Sequence, residues 1–147
     1  MNIADQFTIR APLETVWNFL FDIERMSLCV PGVESIEQTG EDTYQGMLAI
    51  RIGPVSARFA GKVTLTEVAM PHRIGAHING EDRTIASFIH ADFVSILEEI
   101  EDGTQVSYDM DLNVRGRLGQ FGTAVTRATA QKITAEFANN VRAELEH

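Results

Sequence analysis

Residues 115–141 read RGRLGQFGTAVTRATAQKITAEFANNV, and this stretch decides the fold. Leu118, Phe121, Val125, Thr129, Ile133, Phe137 and Val141 recur every three or four residues, which puts them on one stripe of a helix. A helix from Leu118 to Val141 would be about 36 Å long, longer than a typical strand, so only a curved sheet can wrap it. The chain enters this helix through Gly116, Gly119 and Gly122, which keep side chains clear of the entry point. Exposed amides there could attract an anionic group, but the spacing matches no phosphate-binding loop that follows a parallel strand. A nucleotide site is therefore not expected.

Upstream, from Val33 to Gly116, the apolar period changes from the helical spacing to two. Turn residues interrupt it at Thr39-Gly40-Glu41-Asp42, Gly53-Pro54, Met70-Pro71, Asn79-Gly80-Glu81-Asp82 and Glu101-Asp102-Gly103, which predicts six strands joined as hairpins. Val55, Ala57, Phe59, Gly61, Val63 and Leu65 alternate with polar neighbours, as do Val106, Tyr108, Met110, Leu112 and Val114, so each strand has one apolar face. Between Ile85 and Leu97, Phe88, Ile89, Phe93 and Val94 occupy both parities, which calls for a bulge or burial on two sides.

Toward the N-terminus, Ile3 to Arg10 alternates as a further strand and stops at Ala11-Pro12. Pro12 suits a helix start, and Val16, Trp17, Leu20 and Phe21 share one helical face through Phe21. Asp22 can cap a second short helix, ended by Val30-Pro31-Gly32. The expected class is α+β, with a seven-stranded curved antiparallel sheet, two short N-terminal helices and a long C-terminal helix. One domain is expected over residues 1–143. Residues 144–147 read as a tail, partly vector-derived, so His147 is assigned no role.

Composition narrows the partners. Of 147 residues, 44% are hydrophobic, enough for one sizeable core. A net charge of -9 repels phosphate backbones and argues against nucleic acid or a polybasic grip on lipid, a patch around Arg115, Arg117 and Arg127 aside. A single cysteine, Cys29, forbids an intramolecular disulfide and fits a reducing compartment. The N-terminus lacks signal-peptide features, and no apolar run approaches the roughly 20 residues of a membrane span. A cytoplasmic protein is expected.

Several short motifs carry a resemblance. They are Ala11-Pro12 before Val16-Trp17, Leu20 and Asp22, Leu28-Cys29-Val30-Pro31-Gly32-Val33-Glu34, Tyr44-Gln45-Gly46, Ile52-Gly53-Pro54, Phe59-Ala60-Gly61-Lys62-Val63, Gly103-Thr104, and Val114 through Gly122. In this order they resemble the family of the carbon monoxide dehydrogenase CoxG subunit (CoxG-like), within the START-like, SRPBCC or helix-grip superfamily. The resemblance implies a helix-grip fold and a non-catalytic accessory protein of molybdenum-containing hydroxylases, with a proposed part in membrane docking and electron transfer to quinone. Many family members carry a further tail and a membrane-seeking helix; this sequence ends with its domain, either because such a segment has been cut away or because this is a short member without it, and membrane contact is expected to be at most peripheral, at the inner face. Glu81-Asp82-Arg83 and Phe88 depart from the small residues usual in the family, which bears on cavity size.

The apolar faces either interdigitate as solid core or line a cavity that a small hydrophobic molecule fills. On the cavity reading the lining is Tyr44, Phe59, Phe88, Phe93, Tyr108, Met110, Phe121, Val125 and Ile133, with the two phenols as polar handles. No cofactor is expected. His77 and His90 fall on neighbouring strands with Asp92 two residues on, a set able to offer zinc two imidazoles and a carboxylate. No HxH, HxxxH or paired cysteine fixes that geometry, and solvent-facing histidines without metal are the reading taken. Cys29 reads as a small buried residue, the Glu98 to Asp102 run as a solvated edge, and no GxSxG or catalytic-cysteine context occurs. The expected role is an accessory protein holding a hydrophobic, quinone-like molecule; the alternatives are a helix-grip cyclase or hydratase and a general lipid or steroid carrier.

Overall fold

A computed structural model describes residues 1–146; position 147, expected in the tail, lies outside the described residues. Strand β1 (Asn2–Ile9) leads into helix α1 (Leu13–Phe21), which starts directly after Pro12 and buries Val16, Trp17, Phe19 and Leu20. Asp22 caps α2 (Ile23–Met26) by accepting the Arg25 amide, and a 3-10 turn over Ser27–Cys29 delivers the chain to the far edge of the sheet. From there β2 (Val33–Gln38), β3 (Thr43–Ile52), β4 (Val55–Ala69), β5 (Arg73–Asp82), β6 (Ser87–Ile100) and β7 (Gly103–Gly116) follow as successive hairpins. The order is β1-β7-β6-β5-β4-β3-β2, antiparallel throughout, so the excursion through α1 and α2 links one edge to the other.

A 3-10 turn, Arg117–Phe121, precedes the final helix α3 (Gly122–Leu145). The helix therefore begins and ends four residues later than the apolar stripe predicts. Gly122 has φ 82°, a left-handed conformation that separates the two helical segments and that glycine adopts without strain. The stripe nevertheless keeps one face, because Leu118 and Phe121 are presented by the 3-10 turn. Leu145, at the start of the expected tail, packs against the core, and Glu146 accepts the Arg10 amide at 2.8 Å.

The contacts of α3 require the sheet to curl. The helix touches β1 at one edge and also β3, five strands away. In a flat sheet these would stand about 24 Å apart, more than twice the ~10 Å diameter of a helix. On one flank, Arg127 Nη1 and Arg142 Nε donate to the carbonyls of Asn2 and Thr8 at 3.0 Å each, covering the free edge of β1. On the other, Asn140 Nδ2 donates to the Cys29 carbonyl at 2.9 Å.

One expectation about the strands is corrected and an open alternative is resolved. Asn79-Gly80-Glu81-Asp82 is not a turn but the end of β5, and the reversal lies at Arg83–Ala86. Asp82 builds it by accepting both the amide and the hydroxyl of Thr84, while Ala86 takes the left-handed conformation at φ 47°. Strand β6 pairs with β5 and β7 in unbroken register, so the mixed parity of its apolar residues does not arise from a bulge. It places Ile89 and Phe93 toward α3 and Phe88 on the opposite, outer face.

Candidate functional site

The face of the sheet toward α3 holds two packed clusters, one at each end of the helix. At the N-terminal end of α3, Ile52, Ala57, Phe59 and Leu118 are buried, with Phe121 and Val125 packed against them. The ring of Phe121 lies over the Gly53-Pro54 turn, so close that a methyl at Gly53 would touch it at 3.4 Å. At the C-terminal end, Val141, Trp17, Tyr44, Leu65, Leu97 and Val106 form the larger cluster, joined by Phe7 and Phe137.

Between the clusters the two apolar faces close incompletely: Ala91 and Ile3 are buried there, but the side chains around them are not. Thr129, Ala130, Ile133 and Thr134 on α3, and Ile78, Phe93, Tyr108, Met110 and Leu112 on the strands, face one another yet remain half-buried. Water reaches these inward-facing side chains, in contrast to Phe59 and Val141, which are 1% and 0% exposed. Part of the reason is a row of glycines. Gly46, Gly61 and Gly80 are cross-strand partners on β3, β4 and β5, which leaves bare backbone on the floor between Tyr44 and Phe59. A methyl at Gly61 would make only ordinary contact, its nearest atom at 3.6 Å, whereas at Gly80 the side chain of Ile89 already covers the backbone at 2.9 Å.

One polar bridge spans the gap. The Tyr108 hydroxyl lies 2.7 Å from Thr134 Oγ1, and because Thr134 donates to the Ala130 carbonyl at 3.0 Å, Tyr108 is the donor. Burial pushes the Tyr108 phenol above its usual range, outweighing the Thr134 hydrogen bond, so it stays protonated at neutral pH. The ring of Phe93 stacks on it at 5.8 Å between centroids.

The sequence-predicted lining is thus sorted. Phe93, Tyr108, Met110 and Ile133 face the open middle, and Phe121 and Val125 close its end. Tyr44 and Phe59 point inward but are consumed by the two clusters. Phe88 does not belong: it is 44% exposed on the outer face, where it lines a separate shallow groove. Ile78, Leu112 and Thr134 were missed, although the first two alternate correctly with polar neighbours and could have been read from parity. His77, His90 and Asp92 are brought together, also on the outer face. Cys29 is buried, and desolvation holds its thiol above the ordinary value, which disfavours a reactive thiolate. Among the described residues no helix is long and apolar enough to cross a membrane.

The family model for CoxG, the CoxG subunit of carbon monoxide dehydrogenase, matches residues 6–146. The chain belongs to the CoxG family. No curated protein is significantly similar to it. Among solved structures, a conserved protein from Geobacillus kaustophilus is similar at 27% identity and a TM-score of 0.90, over 98% of this chain and 94% of that one. A START superfamily protein from Mycobacterium smegmatis superposes at a TM-score of 0.77 with 14% identity, over 99% and 97% of the two chains. The Zhui aromatase/cyclase from Streptomyces sp. R1128 superposes at 0.71 with 16% identity, over 98% and 92%. The last two likenesses show the START-like fold alone; CoxG membership and this fold point to a ligand-binding accessory protein.

Proposed function

We propose that this CoxG family chain is a non-catalytic accessory protein that holds a hydrophobic, quinone-like molecule between α3 and the sheet, in the service of a molybdenum-containing hydroxylase of the carbon monoxide dehydrogenase type. The observation that carries the ligand part is the half-buried middle between two fully packed clusters. Apolar surface that water reaches inside a fold gains free energy when a hydrophobic molecule displaces that water. The polar groups in this space, the hydroxyls of Tyr108, Thr129 and Thr134, are neutral hydrogen-bonding groups that orient a carbonyl or hydroxyl and do not form an acid-base pair. The accessory part and its enzyme partner rest on family membership.

The test is titration of detergent-free protein with a short-tailed quinone and, separately, with a fatty acid and a sterol, followed by calorimetry and native mass spectrometry. Saturable binding of the quinone near one equivalent, weakened by Ile133→Trp, supports the reading. Preference for the fatty acid or sterol makes the chain a lipid carrier instead, and binding of none at micromolar concentration overturns the proposal. Co-purification with the large subunits of a molybdenum hydroxylase tests the partner.

A further inference from the structure

Strand register brings three metal-ligating side chains together on the face of the sheet that α3 does not cover. His77 on β5 and Asp92 on β6 are direct cross-strand partners, and His90 precedes Asp92 by two residues, so all three project outward side by side. His77 Nδ1 lies in direct contact with Asp92 Oδ1, and His90 Nε2 stands 3.8 Å from the same oxygen. One ligand atom from each residue lies within 4.8 Å of the others, and the two imidazoles stack at 6.0 Å.

We propose that His77, His90 and Asp92 form a binding site for a divalent transition metal of the zinc and copper class. Two imidazole nitrogens and one carboxylate oxygen are a donor set that such ions take up readily, with a fourth position left to water. Around zinc, with bonds of about 2.0–2.1 Å, adjacent ligand atoms stand roughly 3.4 Å apart. Half-exposed side chains cover that remaining difference by small rotations, without moving the strands that hold them.

A second residue orients the site. Asn79, the cross-strand partner of His90, places its Oδ1 2.5 Å from His90 Nδ1. The amide oxygen only accepts, so the proton sits on Nδ1 and the Nε2 lone pair is directed at the cluster. Two imidazole nitrogens converging on one carboxylate oxygen is the arrangement that a metal ion takes up through one donor atom from each side chain. Asn79 and His90 also line the outer groove of about 690 Å³, together with Lys62, Phe88 and Arg115, while the half-exposed side chains of His77 and Asp92 leave the cluster open to solvent.

The experiment is calorimetric titration of the tag-free chain with zinc alone, repeated with cobalt to read its visible absorption. One equivalent of zinc should bind, and His77→Gln, His90→Gln or Asp92→Asn should each weaken it at least tenfold. Asn79→Leu should weaken it about tenfold through loss of the orienting bond. His72→Gln should leave it unchanged, since His72 Nδ1 is engaged with the Leu97 carbonyl at 2.8 Å, away from the cluster. No saturable uptake at millimolar zinc, or uptake unaltered in His77→Gln and His90→Gln, overturns the proposal.

Discussion

Tyr108 on β7 and Thr134 on α3 meet through their hydroxyls at 2.7 Å, the one side-chain hydrogen bond between sheet and helix across the open middle among the described residues. Tyr108→Phe should lower stability by about 1 kcal/mol, the typical net value of such a bond, read from the urea midpoint. It should leave binding of purely aliphatic ligands unchanged while weakening those with a carbonyl or hydroxyl.

The open middle and the packed ends should respond oppositely to changes in side-chain volume. Ile133→Trp places bulk in reachable space and should reduce uptake of an apolar fluorescent probe with a stability change under about 1 kcal/mol. Phe59→Ala, in a sealed cluster, should cost about 3–5 kcal/mol. If Ile133→Trp unfolds the chain instead, the middle is solid core.

Arg142 ties α3 to β1 at the Thr8 carbonyl. Replacing it with Ala should destabilise the chain by about 1 kcal/mol, a figure set low because the bond is solvent-exposed. Hydrogen exchange of the β1 amides should accelerate before that of β4, since an uncovered edge opens first.

Asp82 provides a pH signature. Hydrogen bonds from Thr84 and from the Arg58 amide hold its carboxyl below the ordinary value of 3.8. A lowered folded-state pKa means the ionised form stabilises the fold above that ordinary value, and the contribution disappears as pH falls through the folded-state value. Asp82→Asn should therefore be less stable than the parent at pH 7, with the difference shrinking below about pH 4, as thermal melts across that range would show.

Much of this architecture was legible because its signals are periodic. Seven strands and the long helix follow from alternation and from a stripe that repeats through Val141. Local geometry was harder. Asn79-Gly80-Glu81-Asp82 has the composition of a turn, yet Gly80 sits in β5 because a side chain there would come within 2.9 Å of Ile89. The real reversal contains neither glycine nor proline and depends on a side-chain cap from Asp82, which composition does not announce. The face of Phe88 was unreadable for a related reason: β6 carries apolar residues on both sides, so alternation cannot assign them. His77, His90 and Asp92 could be assigned to neighbouring strands from the sequence, but the same loss of parity left their shared face to be fixed by register. The distinction between Phe59 as packed core and Ile133 as reachable surface is a matter of distance between helix and sheet, and no pattern along one chain encodes it.

Helix α3 resembles a beam resting on two supports. Leu118 and Phe121 anchor one end, Phe137 and Val141 the other, and the arginines at 127 and 142 fasten its side. The span between residues 129 and 134 carries little of the packing that keeps the chain folded. Side chains there are free to diverge among relatives, so what the space admits can change over evolution at small cost to stability, and foldedness and ligand choice become separately tunable properties of one helix.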